Sequence, residues 1–354
     1  MASMDLMFSK QLNCVELFSN KFAVNSVLAG RYVVERVVRE GNVYQLVHAK
    51  DLVDGVRKVV RVVNRSTVSH NILIGDLLWL RSLRTDDGRF WHSKFYAEHR
   101  DSLYVYIVFC FPRKTLRDVL ADEKIYLSAR HVKEISHQAL RAVIALHDEL
   151  TLHTDICPEN IELVSDDVVS YSVYCADGSF VQRTSLASTE IRLCFYGAVG
   201  VRSSVIAGED QYKSPEAVFG MRYSEKSDGF SLGCLISELL LGRPLFPRCL
   251  PGPNYRREKT ILFDVILGPF PDDLISAIRR TYSGIFSTPT SDFPEVDASI
   301  HRRIRRYAED ALPLRALIDD DVALDLIESM VHLDFRLRVS LRHLDDHPFF
   351  HSRE

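Results

Sequence analysis

The chain has 354 residues, 46% of them hydrophobic and 26% charged, enough apolar material for one sizeable core or two apposed ones and too much for a disordered scaffold. With 44 basic against 48 acidic side chains the formal net charge is −4, so no overall basic field exists to hold nucleic acid or an anionic membrane. No apolar run approaches the ~20 residues of a membrane span and the opening segment carries Asp5 without a signal-like apolar core, so a soluble, intracellular protein is expected.

Residues 1–26 read as an N-terminal extension, either a docking arm or a frayed end. From Arg31 to about Phe111 the chain is rich in valine, in runs such as Tyr32-Val33-Val34, Val37-Val38, Val59-Val60 and Val105-Tyr106-Ile107-Val108-Phe109, which predict strands. Asp54-Gly55 between two of these runs signals a hairpin. Ile72, Leu73, Leu77 and Leu80 return at helical spacing within Asn71 to Leu83. After Pro112 the period changes: Val132, Ile135, Ala139, Ala142, Val143 and Leu146 predict a long amphipathic helix with Ser128 as its N-cap. A second apolar helix is expected over Leu232 to Leu241, ending at Gly242, and a third near Leu324 to Val331, opened by Asp319-Asp320-Asp321. A β-rich lobe followed by a helical lobe, joined near Cys110 to Lys114, would put any small-molecule cleft between them. The seven cysteines are scattered without CxxC spacing and are expected to be reduced, packed thiols.

The chemistry-bearing motifs lie in the second half. His153-Thr154-Asp155-Ile156-Cys157-Pro158-Glu159-Asn160 follows the long helix and precedes an apolar segment. Ser214-Pro215-Glu216, then Ser227-Asp228-Gly229-Phe230-Ser231-Leu232-Gly233, then Asp334 and Arg338 follow in order. Together they resemble the catalytic loop (HRDLxxxxN), the APE element, the start of the central helix and the terminal Asp/Arg element of protein kinases. The sequence is most similar to the CLK, or LAMMER, dual-specificity kinases: Thr154 follows the loop His as in that family, Ser165 to Glu190 matches its long insert, and Glu258 to Pro269 stands for its EHLAMMERILGP segment with the eponymous letters lost. The resemblance implies an α+β, bilobal protein-kinase-like fold. A small antiparallel β-sheet lobe with one helix (27–111) precedes a larger, mainly helical lobe (112–350) that carries the 165–190 insert, and residues 351–354 form a tail.

Phosphoryl transfer needs a phosphate-covering loop, a lysine held by a helix carboxylate, metal-binding Asp and Asn, and a base for the attacking hydroxyl. By the resemblance, the glycine-rich loop is Arg39-Glu40-Gly41-Asn42-Val43-Tyr44, where Gly41 alone remains and Arg39 and Tyr44 would obstruct the phosphates. Arg61 stands at the lysine position and Asp76 at its helix partner, one methylene short. Phe195, in Phe195-Tyr196-Gly197, stands where the metal-binding Asp belongs, and a phenyl ring supplies no oxygen for Mg²⁺. On the adenine side Phe109 is the gatekeeper, Val59 replaces an alanine, Pro112 removes a hinge N–H, and Glu162 replaces the leucine beneath the ring. Asp155 (the base position), Asn160 and Cys157 (at the loop-lysine position) complete the site.

These residues admit plainer roles. Asp155 and Asn160 either retain catalysis or hold their loop by hydrogen bonds. Cys157 is a reactive or an inert thiol. Glu162, Asp166 and Asp167 form an improvised metal site or, for the two aspartates, a solvated turn. Arg302, Arg303, Arg305 and Arg306 bind an acidic partner or face solvent beside Glu309 and Asp310. His153, Asp228, Tyr196 and Leu80 would support packing, and Glu216 with Arg338 the family's buried ion pair. The reading is an inactive kinase-like scaffold or regulator with no bound metal or cofactor and ATP binding lost or weak. Its expected partners are other proteins, active kinases or kinase substrates among them, with neither nucleic acid nor membrane. Its alternatives are a divergent active kinase and a metal-independent nucleotide sensor. The compartment is nucleus or cytoplasm, the nucleus by resemblance alone.

Overall fold

Asp54 and Gly55 reverse the chain between two valine-rich strands, with Gly55 at φ 70° where a side chain would be strained. The computed structural model describes residues 22–40, 44–65, 95–174, 178–194, 209–249, 252, 255–282 and 312–351. Two compact units separate between Pro112 and Arg113.

The first unit is an antiparallel sheet of β1 (Val27–Leu28), β2 (Tyr32–Glu40), β3 (Tyr44–Asp51), β4 (Arg57–Asn64), β5 (Phe95–Arg100) and β6 (Tyr104–Cys110), ordered β1-β2-β3-β4-β6-β5. Central β4 is buried from Lys58 to Val63, both faces covered, which explains why its valines come in adjacent pairs rather than alternating; Lys58 and Arg61 are buried with them. Val60 and Val62 join Leu28, Tyr32, Val34, Val47, Ala49, Tyr106 and Val108 in one core. The fork of Arg31 on buried Asp51, with both contacts at 2.7 Å, ties the start of β2 to the end of β3. The helix expected over Asn71 to Leu83 lies outside the described residues.

The second unit opens with α1 (Leu116–Leu120), capped by Thr115 and Asp118, and α2 (Ala129–Asp148), capped by Ser128 with the His131 ring reaching back to its N–H. All six apolar positions that predicted α2 are buried. After the motif loop come β7 (Ile161–Leu163), β8 (Val168–Tyr174), β9 (Phe180–Leu186) and β10 (Ile191–Leu193), with β7 paired to β10 and β8 to β9. The 165–190 insert therefore contains an antiparallel hairpin. The helices α3 (Pro215–Val218), α4 (Glu225–Leu241), α5 (Tyr255–Leu267), α6 (Asp272–Thr281), α7 (Leu314–Leu317) and α8 (Asp321–Val331) follow. Gly242 ends α4 in the left-handed conformation at φ 67°, and Asp320 caps α8 by accepting from the Val322 and Ala323 N–H groups.

One boundary departs from the expectation. Helix α4 begins at Glu225, not Leu232, because its first turns bury Ser227, Asp228, Gly229 and Ser231, residues an apolar periodicity passes over. Gly233 lets α4 approach α8: a Cβ there would lie 2.7 Å from Val331 Cγ1 and 2.9 Å from Met330 Cβ. Cys110, Cys157, Cys194, Cys234 and Cys249 are free thiols. Among the described residues no helix is long and apolar enough to cross a membrane.

Candidate functional site

The motif loop hangs from α4. Buried Asp228 accepts the His153 N–H at 2.7 Å and the Thr154 N–H at 2.8 Å, and its oxygens also meet His147 Nε2 at 3.0 Å and the Tyr223 hydroxyl at 2.9 Å. Thr154 has φ 66°, a left-handed residue that costs on the order of 1–3 kcal/mol. The Asp228 bonds offset that cost and fix the bend. Burial opposes ionisation of Asp228, but His147, His153 and the Thr154 amide together hold its carboxyl below the usual range.

His153 faces the other way. The Asp155 N–H donates to its Nδ1 at 3.2 Å, which leaves the ring proton on Nε2, 3.2 Å from the Cys194 carbonyl beside β10. Complete burial lowers its pKa, so the ring is neutral. Asn160 Nδ2 donates to the Asp155 carbonyl at 2.7 Å and to Asp155 Oδ2 at 2.8 Å, and the Asn160 backbone carbonyl accepts from the Cys194 N–H at 2.6 Å. Asp155 Oδ1 accepts the Glu209 N–H at 3.2 Å and lies 3.9 Å from the buried Cys157 sulfur. Asp155, Cys157 and Asn160 are thus brought together, with Asn160 Nδ2 and both Asp155 carboxylate oxygens in hydrogen bonds that hold the loop.

Glu162 is the first turn's neighbour on β7. Its carboxylate accepts the Arg113 N–H at 3.1 Å and lies 3.9 Å from Arg192 of β10. The amide that follows Pro112 is therefore occupied by Glu162, while Pro112 itself has no N–H to offer. Asp167 accepts from Ser165 Oγ at 2.7 Å in an exposed turn, the plainer of its two expected roles.

In the first unit Arg61 is buried in β4, and its guanidinium carbon lies 4.9 Å from the ring centroid of Tyr44, itself buried at the start of β3. Arg61 and Tyr44 so pack on each other as a cation–π pair. Phe109 is buried in β6, opposite Val59 of β4 and Phe95 of β5. Gly41, Asp76, Phe195, Tyr196, Leu80 and Arg302 to Arg306 lie outside the described residues.

Sequence reasoning missed two supports. Arg117 of α1 bonds Glu159 of the motif loop at 2.7 Å, buried Glu238 of α4 at 2.6 Å and the Tyr212 hydroxyl at 2.5 Å. Lys259 of α5, fully buried between Phe246 and Phe263, donates to the Asp210 carbonyl at 2.6 Å. Both join residues far apart in sequence, and neither cation stands out there: Arg117 is followed by Asp118, and Lys259 closes the charged run Arg256-Arg257-Glu258. The Glu216–Arg338 pair expected from the motifs is present, at 2.6 and 2.8 Å and buried on both sides.

Comparison with known proteins agrees with this architecture. Residues 39–350 match the family described as protein kinase domain. Among similar curated proteins, dual specificity protein kinase lkh1 of Schizosaccharomyces pombe is 24% identical over 345 residues, covering 93% of this chain and 48% of its own length. Dual specificity protein kinase CLK1 of Mus musculus is 27% identical over 342 residues, covering 92% of this chain and 67% of its own. The chain thus spans about half to two thirds of the length of these relatives. A crystallised kinase domain with 21% identity superposes with a TM-score of 0.70, covering 94% of this chain and 98% of the other, and shows the bilobal α+β kinase fold.

Proposed function

This chain belongs to the protein kinase domain family, related to the CLK-type dual-specificity kinases, and from that premise we propose that it is an inactive member acting by binding other proteins, as a scaffold or regulator of active kinases or their substrates. The observation that carries the reading is Arg61 over Tyr44. The group at the lysine position is turned onto a ring from the phosphate-loop position, and a planar guanidinium does not substitute for a compact ammonium in a tight phosphate site. The donor set also fits a magnesium ion poorly. Such an ion takes oxygen ligands, and Phe195, at the position the resemblance gives to the metal-binding Asp, has none to give; Asn160 donates through Nδ2 to Asp155, bonds that do not engage its Oδ1. Pro112 and the Glu162-bound Arg113 amide weaken the case for adenine recognition by backbone N–H groups.

A second reading, a divergent active kinase, draws on Asp155 and Asn160 standing together at the base and metal positions and on relatives named as dual specificity kinases. Thermal melting with ATP, in Mg²⁺ and in EDTA, separates the readings. A ligand at a hundred times its dissociation constant stabilises by ~2.7 kcal/mol, several degrees for such a domain. We expect no shift in either condition. A Mg²⁺-dependent shift, followed by phosphate transfer that Asp155→Asn abolishes, would overturn the proposal; an equal shift in EDTA would mark a metal-independent sensor.

A further inference from the structure

The hairpin β8–β9 is exposed over most of its length. Its strands pair Val169 with Ser185, Tyr171 with Arg183 and Val173 with Val181 on one face, and Ser170 with Thr184 and Ser172 with Gln182 on the other. The second face is internally bonded, Gln182 to Ser172 at 2.6 Å. The first carries an apolar row, Val169, Tyr171, Val173 and Val181, exposed by 38 to 49%. The pairs Val168–Leu186 and Tyr174–Phe180 close the second face at its ends, so the alternation that marks a half-buried strand runs from Val169 to Val173, yet the strand is exposed along its whole length.

The two edges differ. The outer side of β9 is already engaged, by the Tyr126 N–H on the Thr184 carbonyl at 2.7 Å and a parallel bridge from Ile125. Strand β8 is the outer strand, and no third strand joins this sheet among the described residues. Exposed edges are ordinarily protected by lysine, proline, a bulge or an inward charge. From Val168 to Tyr174 there is no charged residue, no proline, no glycine and no shift in register.

We propose that β8 pairs antiparallel with β8 of a second copy of this chain, about a twofold axis at Tyr171. The occupant follows from the sequence of the edge. Val169-Ser170-Tyr171-Ser172-Val173 reads the same in both directions. A twofold pairing therefore sets valine against valine, serine against serine and tyrosine against tyrosine, with the polar and apolar rows continuous across a four-stranded sheet. A twofold interface requires such self-complementarity, and an uncharged edge meets its own copy without like charges in opposition. This pairing is independent of whether the chain transfers phosphate. Seven-residue strands bury an area at the low end of specific interfaces, under about 1,200 Å², so association is expected to be concentration-dependent.

Sedimentation equilibrium of the full chain across the micromolar range tests this. The expected result is a reversible monomer–dimer equilibrium, retained in Tyr171→Phe and weakened about tenfold or more in Tyr171→Lys, where two lysines would face each other at the axis. Tyr171→Glu should weaken it likewise, and an equimolar mixture of the Lys and Glu variants should dimerise where each alone does not. Within the hairpin Tyr171 lies opposite Arg183, so Lys there is expected to lower the melting temperature slightly and Glu not, and the Lys/Glu mixture reads the pairing independently of each variant's stability. A chain that stays monomeric throughout, a dimer indifferent to Tyr171→Lys, or a mixture that fails to restore pairing would each overturn the proposal.

Discussion

The motif loop and strand β4 stand differently under the proposed reading. In the loop, His153, Asp155 and Asn160 match the motif; in β4 that reading takes Arg61 and Val59 as replacements, as it does Tyr44 on neighbouring β3. The structure gives a physical account. Each of these loop side chains has structural work that chemistry does not require: His153 joins the loop to Cys194, Asp155 accepts from Glu209, and the Asn160 side chain donates twice to Asp155. In β4 the buried Arg61 guanidinium packs on the Tyr44 ring. Retention of catalytic-looking residues is thus weak evidence of catalysis wherever they also hold the backbone.

The largest effect that would sharpen this contrast lies in the buried ion pair of the second unit. Arg338→Ala leaves Glu216 buried with its bidentate partner gone and strips the Phe230 ring of a guanidinium 4.9 Å from its centre. Breaking such a pair by removing one member costs ~3–5 kcal/mol, and chemical denaturation should show the midpoint falling accordingly. A loss under about 1 kcal/mol, the scale of an exposed pair, would mean that this element does not serve the fold as argued.

Acid comes next. Burial first, then Arg36 and Arg57, lowers His48 of β3 from 6.5 to about 4, and burial likewise lowers His153. Both imidazoles are held toward the neutral form when folded, so below the ordinary histidine range the unfolded chain binds more protons. The His48 contribution is fully present above about pH 6.5 and is lost as pH falls toward 4; that of His153 has the same sign. Asp228, held below its ordinary 3.8, withdraws its contribution only below that value. Melting temperature against pH should therefore decline in two stages. His48→Gln should flatten the upper one, in the unit that lacks the motif loop, and leave the lower in place.

Much of this was legible in the sequence, for local reasons. Asp54-Gly55, Ser128, Asp320 and Gly242 mark turns and caps because those geometries require their chemistry within a few residues. The first turns of α4 were not legible: Ser227, Asp228 and Ser231 are buried through bonds to Glu216, the motif loop and Tyr212, partners that hydropathy cannot anticipate. Glu162 shows the limit at the site. Its type predicted an unwelcome charge under an adenine ring, whereas its partners, Arg113 and Arg192, come from segments whose approach only the fold defines.

The smallest effect bears directly on β4. Arg61→Lys restores the residue type that phosphoryl transfer uses and exchanges a planar cation stacked on Tyr44 for a compact one. A cation–π contact contributes ~0.5–1 kcal/mol at exposed sites and ~2 or more when desolvated; since lysine retains part of it, the expected loss is about 1 kcal/mol or less. Nucleotide binding should not return, because Pro112 still lacks its N–H and Phe195 still offers no oxygen. If Arg61→Lys alone gave an ATP-dependent rise in melting temperature, the arginine would be the block and the rest of the pocket intact. The contrast between loop and strand would then reduce to a single side chain.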